Sequence, residues 1–432
     1  MSNAVEDSAA APRGEKSSPS SSHPLARWIV IPMGLVLLLC LGTVYSWSIF
    51  LRPVANQFGE TVTDSLLPFT VLLVVFAAAM PFAGRLIERW GPRKTALLGA
   101  LLTGAGYVAS SWAPNVWVMV VTYGVLSGIG VGVAYGVPLA VSARHFPDRK
   151  GLAVGLTVVG FGLSPLITAP LARKLIAGHG VMDAFWILGA SLTAVMLCVI
   201  PFLKMPISSL PAGAPTSLND QTHLLPSGTR AVLSSARFWA LWICFACGTL
   251  VGLGVIGISS PVATEVVKLD PATAAWAVSL FAIFNGLGRP TFGYLTDHFG
   301  TPKTALSAYA LMALACLGML TVDEGQTTLY LVCFCALWMG FGGWLAIAPT
   351  STLKLFAPLR YASHYGLVYT AYGVGALAGT LLAGRIRDLT GSYDGAFIAY
   401  LIVIAAGGTS ALWLGKLIRD SSKKHESHTA SK

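Results

Sequence analysis

Apolar runs long enough to cross a lipid bilayer recur twelve times along this chain. A helix rises about 1.5 Å per residue, so a hydrocarbon core of about 30 Å takes roughly 20 apolar residues. Such runs fall at 28–51, 64–87, 94–112, 116–141, 150–172, 183–203, 236–260, 273–297, 302–321, 327–351, 363–386 and 394–416. Of the 432 residues, 55% are hydrophobic and 11% charged, whereas a soluble domain carries about 25% charged residues. Lipid offers the backbone no hydrogen-bond partners, so runs of this length must satisfy themselves as helices. The expectation is an all-α membrane protein with twelve transmembrane helices in two six-helix halves.

The net charge of +10 would suit a nucleic-acid partner if the cations shared one surface. They lie instead in short connections between apolar runs. With the N-terminus in the cytoplasm, 21 of the 28 Lys and Arg fall in inside segments, Arg85, Arg89, Arg93 and Lys94 among them. Only six fall outside: Arg52, Arg173, Lys174, Lys268, Arg385 and Arg387. The positive-inside rule then puts both termini in the cytoplasm of a multi-pass cell-membrane protein and explains the charge without nucleic acid. Residues 1–27, rich in Ser, Ala and Pro, read as a disordered cytoplasmic tail. The run after Trp28 is too long for a cleaved signal peptide. The Pro- and Ser-rich stretch 204–235 reads as a cytoplasmic linker between halves 28–203 and 236–416, and 417–432 as a second tail.

An internal repeat supports the two halves. Gly84-Arg-Leu-Ile-Glu88-Arg-Trp-Gly91-Pro-Arg-Lys-Thr-Ala-Leu97 recurs 209 residues later as Gly293-Tyr-Leu-Thr-Asp297-His-Phe-Gly300-Thr-Pro-Lys-Thr-Ala-Leu306. Each copy follows the second helix of its half. Parallel halves of this kind place a transport site between them near the midplane. Other features point to packing. The glycines of span four (Gly124, Gly128, Gly130, Gly132, Gly136) follow no strand and have apolar neighbours, which fits close helix contact, and Gly160, Gly162 and Pro165 of span five and Gly373, Gly375 and Gly379 of span eleven fit the same role. The seven cysteines lie in apolar stretches and read as buried, inert thiols. His145, His179, His298 and His364 sit at loop edges without metal-ligand spacing. No metal or cofactor is expected.

One cation remains. Arg289 lies in span eight, eight residues before Asp297, while the other spans carry Lys, Arg, Asp and Glu only near their ends. A charge at this depth costs several kcal/mol and by default marks a pathway. A planar guanidinium can grip a carboxylate through two parallel hydrogen bonds. The alternative is a structural arginine that caps backbone carbonyls or snorkels inward, but such a residue would more often bring an acid partner, and none is visible in the spans. Asn285 shares its face one turn earlier.

The repeated G-x-L-x-(D/E)-x-x-G-x-x-K element resembles the signature loop of the major facilitator superfamily, with Glu88 where Asp is usual in the first copy. That resemblance implies the major facilitator fold and a bracing role at the cytoplasmic side for Gly84, Glu88, Gly91, Gly293, Asp297 and Gly300. Tyr45-Ser-Trp-Ser in span one, Arg144-His-Phe-Pro-Asp-Arg-Lys-Gly-Leu-Ala-Val-Gly155 after span four, and Phe284-Asn-Gly-Leu-Gly-Arg-Pro290 in span eight look like the oxalate/formate antiporter and monocarboxylate transporter branch. In that branch a span-eight arginine holds a substrate carboxylate, and Arg289 matches it. The oxalate carrier adds a lysine in span eleven, where this chain has Tyr372, which favours a monocarboxylate. The resemblance also implies a substrate pocket from Tyr45, Tyr135, Phe341, Trp344, Tyr369 and Tyr372 beside Asn285 and Arg289.

These readings lead to one expectation: secondary transport of lactate- or pyruvate-like monocarboxylates with a proton, by alternating access, in a carrier acting as a monomer. Anion exchange is the alternative coupling. A carboxylate sensor without transport is the rival of another class, though the longest polar segments are too short for an output domain. Nothing in the spans suggests an enzyme's nucleophile–base pair.

Overall fold

The computed structural model describes residues 28–146, 150–205, 229–356 and 361–430. The expected tail 1–27, most of the linker 204–235 and residues 147–149 of the span-four motif lie outside the described residues. The described chain is helical and crosses the membrane twelve times: α1 (Val30–Phe58), α2 (62–90), α3 (92–110), α4 (Val116–His145), α5 (Lys150–His179), α6 (Val181–Phe202), α7 (Ala236–Glu265), α8 (Pro271–Phe299), α9 (Thr301–Met319), α10 (Thr327–Leu355), α11 (Tyr361–Thr390) and α12 (Asp394–Ala430). α2 and α3 follow one another directly, separated only by the non-helical Gly91. The twelfth helix continues well beyond residue 416, where its apolar run ends.

The repeat is visible in the backbone. Gly91 takes φ 79° and ψ 165°, and Gly300, 209 residues on, takes φ 79° and ψ 161°. Such angles are essentially confined to glycine, which explains both residues at the joint between second and third helices. The threonine four residues after each glycine donates to its carbonyl, Thr95 at 2.9 Å and Thr304 at 3.0 Å. Asp297 pairs with Lys354 at 3.0 Å, and Lys354 also caps the Thr296 carbonyl at 2.8 Å. Its repeat partner Glu88 is exposed and forms no ion pair among the described residues. Among the described residues, the acid of the repeat is paired in the second half alone. Gly84 and Gly293 meet little: a Cβ at Gly84 would have open space, and one at Gly293 would find Ala346 at 3.7 Å.

Small residues set how closely the helices approach, since lipid gives apolar side chains no reason to leave it. A Cβ on Gly132 of α4 would lie 2.8 Å from the Phe76 carbonyl of α2, and one on Gly342 of α10 would lie 2.1 Å from the Asn285 carbonyl of α8. Phe76 and Asn285 are repeat equivalents. α4 winds as a π-helix over Val120–Ser127 and returns to α-helix before Tyr135. Five cysteines are buried as expected, but Cys198 is exposed on α6 and Cys247 half-buried.

The two halves meet at one end of the bundle and again deeper in. At the end where α1 finishes and α2 begins, Arg52 of α1 and Arg387 of α11 both grip Glu265 of α7, the latter at 2.8 and 3.0 Å. Beside them, both carboxylate oxygens of Asp388 accept from the first amides of α2, Val62 at 3.0 Å and Thr63 at 2.9 Å. Deeper, Thr70 and Thr380 share a hydrogen bond of 2.5 Å between α2 and α11. Ser279 of α8 donates to the Pro165 carbonyl of α5 at 3.2 Å.

Candidate functional site

Arg289 lies on α8 at the seam between the halves and is only 5% exposed. The guanidinium finds one partner on a neighbouring helix and one on a side chain of its own helix. Nη1 donates to the Val158 carbonyl of α5 at 2.7 Å, and Nη2 to Asn285 Oδ1 at 3.4 Å. Nε is buried with no partner. Asn285 is held in turn, its Nδ2 donating to the Trp338 carbonyl of α10 at 3.2 Å. The pairings across the described residues place Glu265, Asp297 and Asp388 at helix ends, and none of them reaches Arg289. A full positive charge thus sits in a low-dielectric seam with neutral acceptors alone. That arrangement is expensive to leave uncompensated.

Aromatic side chains from both halves surround this charge. Tyr45 of α1 and Tyr372 of α11 join hydroxyl to hydroxyl at 3.0 Å. Tyr369 stacks on Tyr372 with centroids 4.9 Å apart and planes at 12°. Tyr135 of α4, Tyr45 and Tyr372 lie within electrostatic reach of the guanidinium. Phe341 of α10 packs edge-on to Tyr45 at 5.8 Å and tilted against Tyr372 at 6.4 Å. The structure therefore gathers Arg289, Asn285, Tyr45, Tyr135, Phe341, Tyr369 and Tyr372 in one buried cluster. Trp344 is set apart. It packs on Gly248 of α7 and on Tyr309 of α9, at 4.9 Å, inside the second half.

Two rings that sequence reasoning did not select complete the cluster. Phe161 of α5 packs edge-on to Tyr45 at 5.0 Å and Tyr135 at 5.2 Å. Phe76 of α2 touches Tyr135, Tyr369 and Tyr372 at 5.2 to 5.8 Å. The repeat offered a signal for Phe76, which sits 209 residues before Asn285. Phenylalanine among so many apolar residues offered no such signal for Phe161. Rings give this seam apolar bulk that excludes water, and the tyrosines add polar tips able to hydrogen-bond an anion.

A model of the Major Facilitator Superfamily matches the chain over residues 33–266 and again over 249–432. The chain belongs to this superfamily. Among curated proteins, the oxalate:formate antiporter of Oxalobacter formigenes is 26% identical over 362 residues, covering 83% of this chain and 85% of that protein. Monocarboxylate transporter 13 of Rattus norvegicus is 26% identical over 378 residues, covering 85% and 84%. Human monocarboxylate transporter 11 is 27% identical over 408 residues, covering 90% and 82%. Among solved structures, a bacterial homolog of the human lysosomal transporter Spinster, inward-facing and occupied, aligns over 92% of this chain and 98% of its own with TM-score 0.71 at 15% identity. That likeness shows the major facilitator fold. As a member of the superfamily the chain is a secondary transporter of a small solute, a multi-pass membrane protein and not an enzyme.

Proposed function

We propose that this major facilitator carries small monocarboxylates of the lactate and pyruvate type across the cell membrane by alternating access, with both termini in the cytoplasm. One observation supports this above the rest: a guanidinium at the seam of the halves, 5% exposed, with no acid partner among the described residues and a buried, unpartnered Nε. A carboxylate between the halves would neutralise that charge through charge-assisted hydrogen bonds. Loading would then favour the conformation in which both halves reach the anion, which is the differential affinity that alternating access requires. A single cation suits one carboxylate, and relatives named for monocarboxylates and for oxalate and formate span most of the chain.

Coupling to a proton is the first reading. A second, exchange of one anion for another, is favoured by the neutral surroundings of Arg289: Asn285 stands one turn before it, with no acid of the described residues beside it. An empty carrier keeping an isolated charge would reorient slowly, whereas a loaded one would not. Uptake of radiolabelled lactate into proteoliposomes tests both, with an inward proton gradient in one arm and lactate preloaded inside in the other. Stimulation by the gradient supports symport; stimulation by preloading alone supports exchange. Arg289→Ala should fall to background in either arm. Lack of uptake by the wild type in both arms ends the monocarboxylate reading, and wild-type uptake by Arg289→Ala ends the role of the guanidinium.

A further inference from the structure

The two glycines of α5 near the site face different neighbours. A Cβ on Gly160 would lie 2.3 Å from the Leu35 carbonyl of α1, inside the first half. A Cβ on Gly162 would point across the seam instead, 2.5 Å from Asn285 Oδ1, 3.2 Å from Arg289 Nη2 and 3.3 Å from Arg289 Cζ. One turn earlier on the same helix, the Val158 carbonyl accepts from Nη1 at 2.7 Å. α5 thus presents one carbonyl and one bare backbone position to the two polar side chains of α8.

We infer that Gly162 is a positioning residue of the anion site: its missing side chain lets the first half close on Asn285 and Arg289, so that anion affinity and closure of α5 against α8 depend on one contact. The inference rests on the proposed reading of Arg289 as the carboxylate's partner. A methyl group at 2.5 Å from a carboxamide oxygen lies well inside van der Waals contact, so one of the two must move. Asn285 cannot turn freely, because its Nδ2 is held by the Trp338 carbonyl. Arg289 cannot retreat without giving up Val158 or Asn285. The strain therefore passes into the helix spacing and the direction of the guanidinium fork. Geometry of that kind sets how well two donors meet two carboxylate oxygens.

The test compares Gly162→Ala, Asn285→Ala and the double variant in two measurements. In lactate uptake, Gly162→Ala should raise KM roughly tenfold while the maximal rate changes much less. Adding Asn285→Ala removes the overlapping oxygen, so the double variant should transport better than Gly162→Ala alone. A residue that only packs helices would lower maximal rate and thermal stability together, without relief from Asn285→Ala. The second measurement needs no substrate: spin labels at the exposed positions Leu156 of α5 and His298 of α8 report the spacing of the helices. Gly162→Ala should lengthen that distance, and the double variant should restore it. An unchanged distance, or a wild-type KM in Gly162→Ala, overturns the inference. If the distance responds as expected but the wild type takes up no monocarboxylate, the substrate reading fails and the contact stands.

Discussion

Removing Arg52 should open the seam at the end where Glu265 lies, and the structure allows the size of the effect to be worked out. Glu265 holds two arginines, but they differ in kind. Arg387 belongs to the same half as Glu265, so that pair persists whether the halves are together or apart. Arg52 belongs to the other half, so its bond exists only when this end is closed. Only an interaction that differs between two conformations can shift their balance. The Arg52 side chain is 36% exposed and that of Glu265 21%, and solvent screens such a pair to about 1 kcal/mol or less. Loss of about 1 kcal/mol is roughly a fivefold change in the ratio of open to closed. Arg52→Gln should therefore raise the open population at this end by up to about fivefold, and Arg387→Gln should raise it less. Spin labels at Gln57 and Ala272, both exposed at this end, would report the two populations as a distance distribution in a background with the native cysteines replaced. High salt should move the wild type part of the way toward Arg52→Gln. An unchanged distribution in Arg52→Gln, or an equal shift in Arg387→Gln, would refute the assignment of Arg52 as the tie that depends on conformation.

Other perturbations follow from the same geometry. Tyr372→Lys removes the 3.0 Å bond to Tyr45 and adds a second cation near Arg289, so oxalate should gain and lactate lose, each by roughly tenfold, in competition against labelled lactate. Gly91→Ala and Gly300→Ala place a side chain at φ 79° and should each cost about 1–3 kcal/mol, seen as a lower melting temperature in detergent. Asp297→Asn breaks an exposed pair with Lys354 and should change melting by less than the glycine variants, because such pairs contribute about 1 kcal/mol at most.

The fold was legible because lipid makes it so. Each span must be a long apolar helix, and that demand is written in the residues themselves. The joint glycines were legible through the repeat, since Gly91 and Gly300 fall at matching places in matching motifs. Arg289 was legible as a charge out of place. What surrounds it was only partly so. Tyr45, Tyr135, Tyr369 and Tyr372 met at the site, yet Trp344, equally aromatic and equally deep, turned toward Tyr309. A helix inside a bundle has no solvent-facing stripe to orient it, so its apolar pattern does not say which neighbour a ring will meet. For the same reason Val158, whose contribution is a backbone carbonyl, left no mark in the sequence. Gly162 left a mark only as one glycine among many.

The division of labour between the halves follows from how they differ at equivalent positions of their second helices. The repeat partner of Arg289 is Met80, and that of Asn285 is Phe76. Two guanidiniums related by the pseudo-symmetry would repel each other across a low-dielectric seam and would suit a dianion. With the charge in one half only, the other half supplies what is neutral: the Val158 carbonyl, the hydroxyls of Tyr45 and Tyr135, and the rings of Phe76 and Phe161. Under the proposed function, a carboxylate bound to Arg289 would then be completed only when the neutral half comes to meet it. Contacts made by one half alone would bind the anion equally in every conformation and move nothing. Contacts shared across the seam make binding depend on closure, and the asymmetry of one arginine is what forces them to be shared.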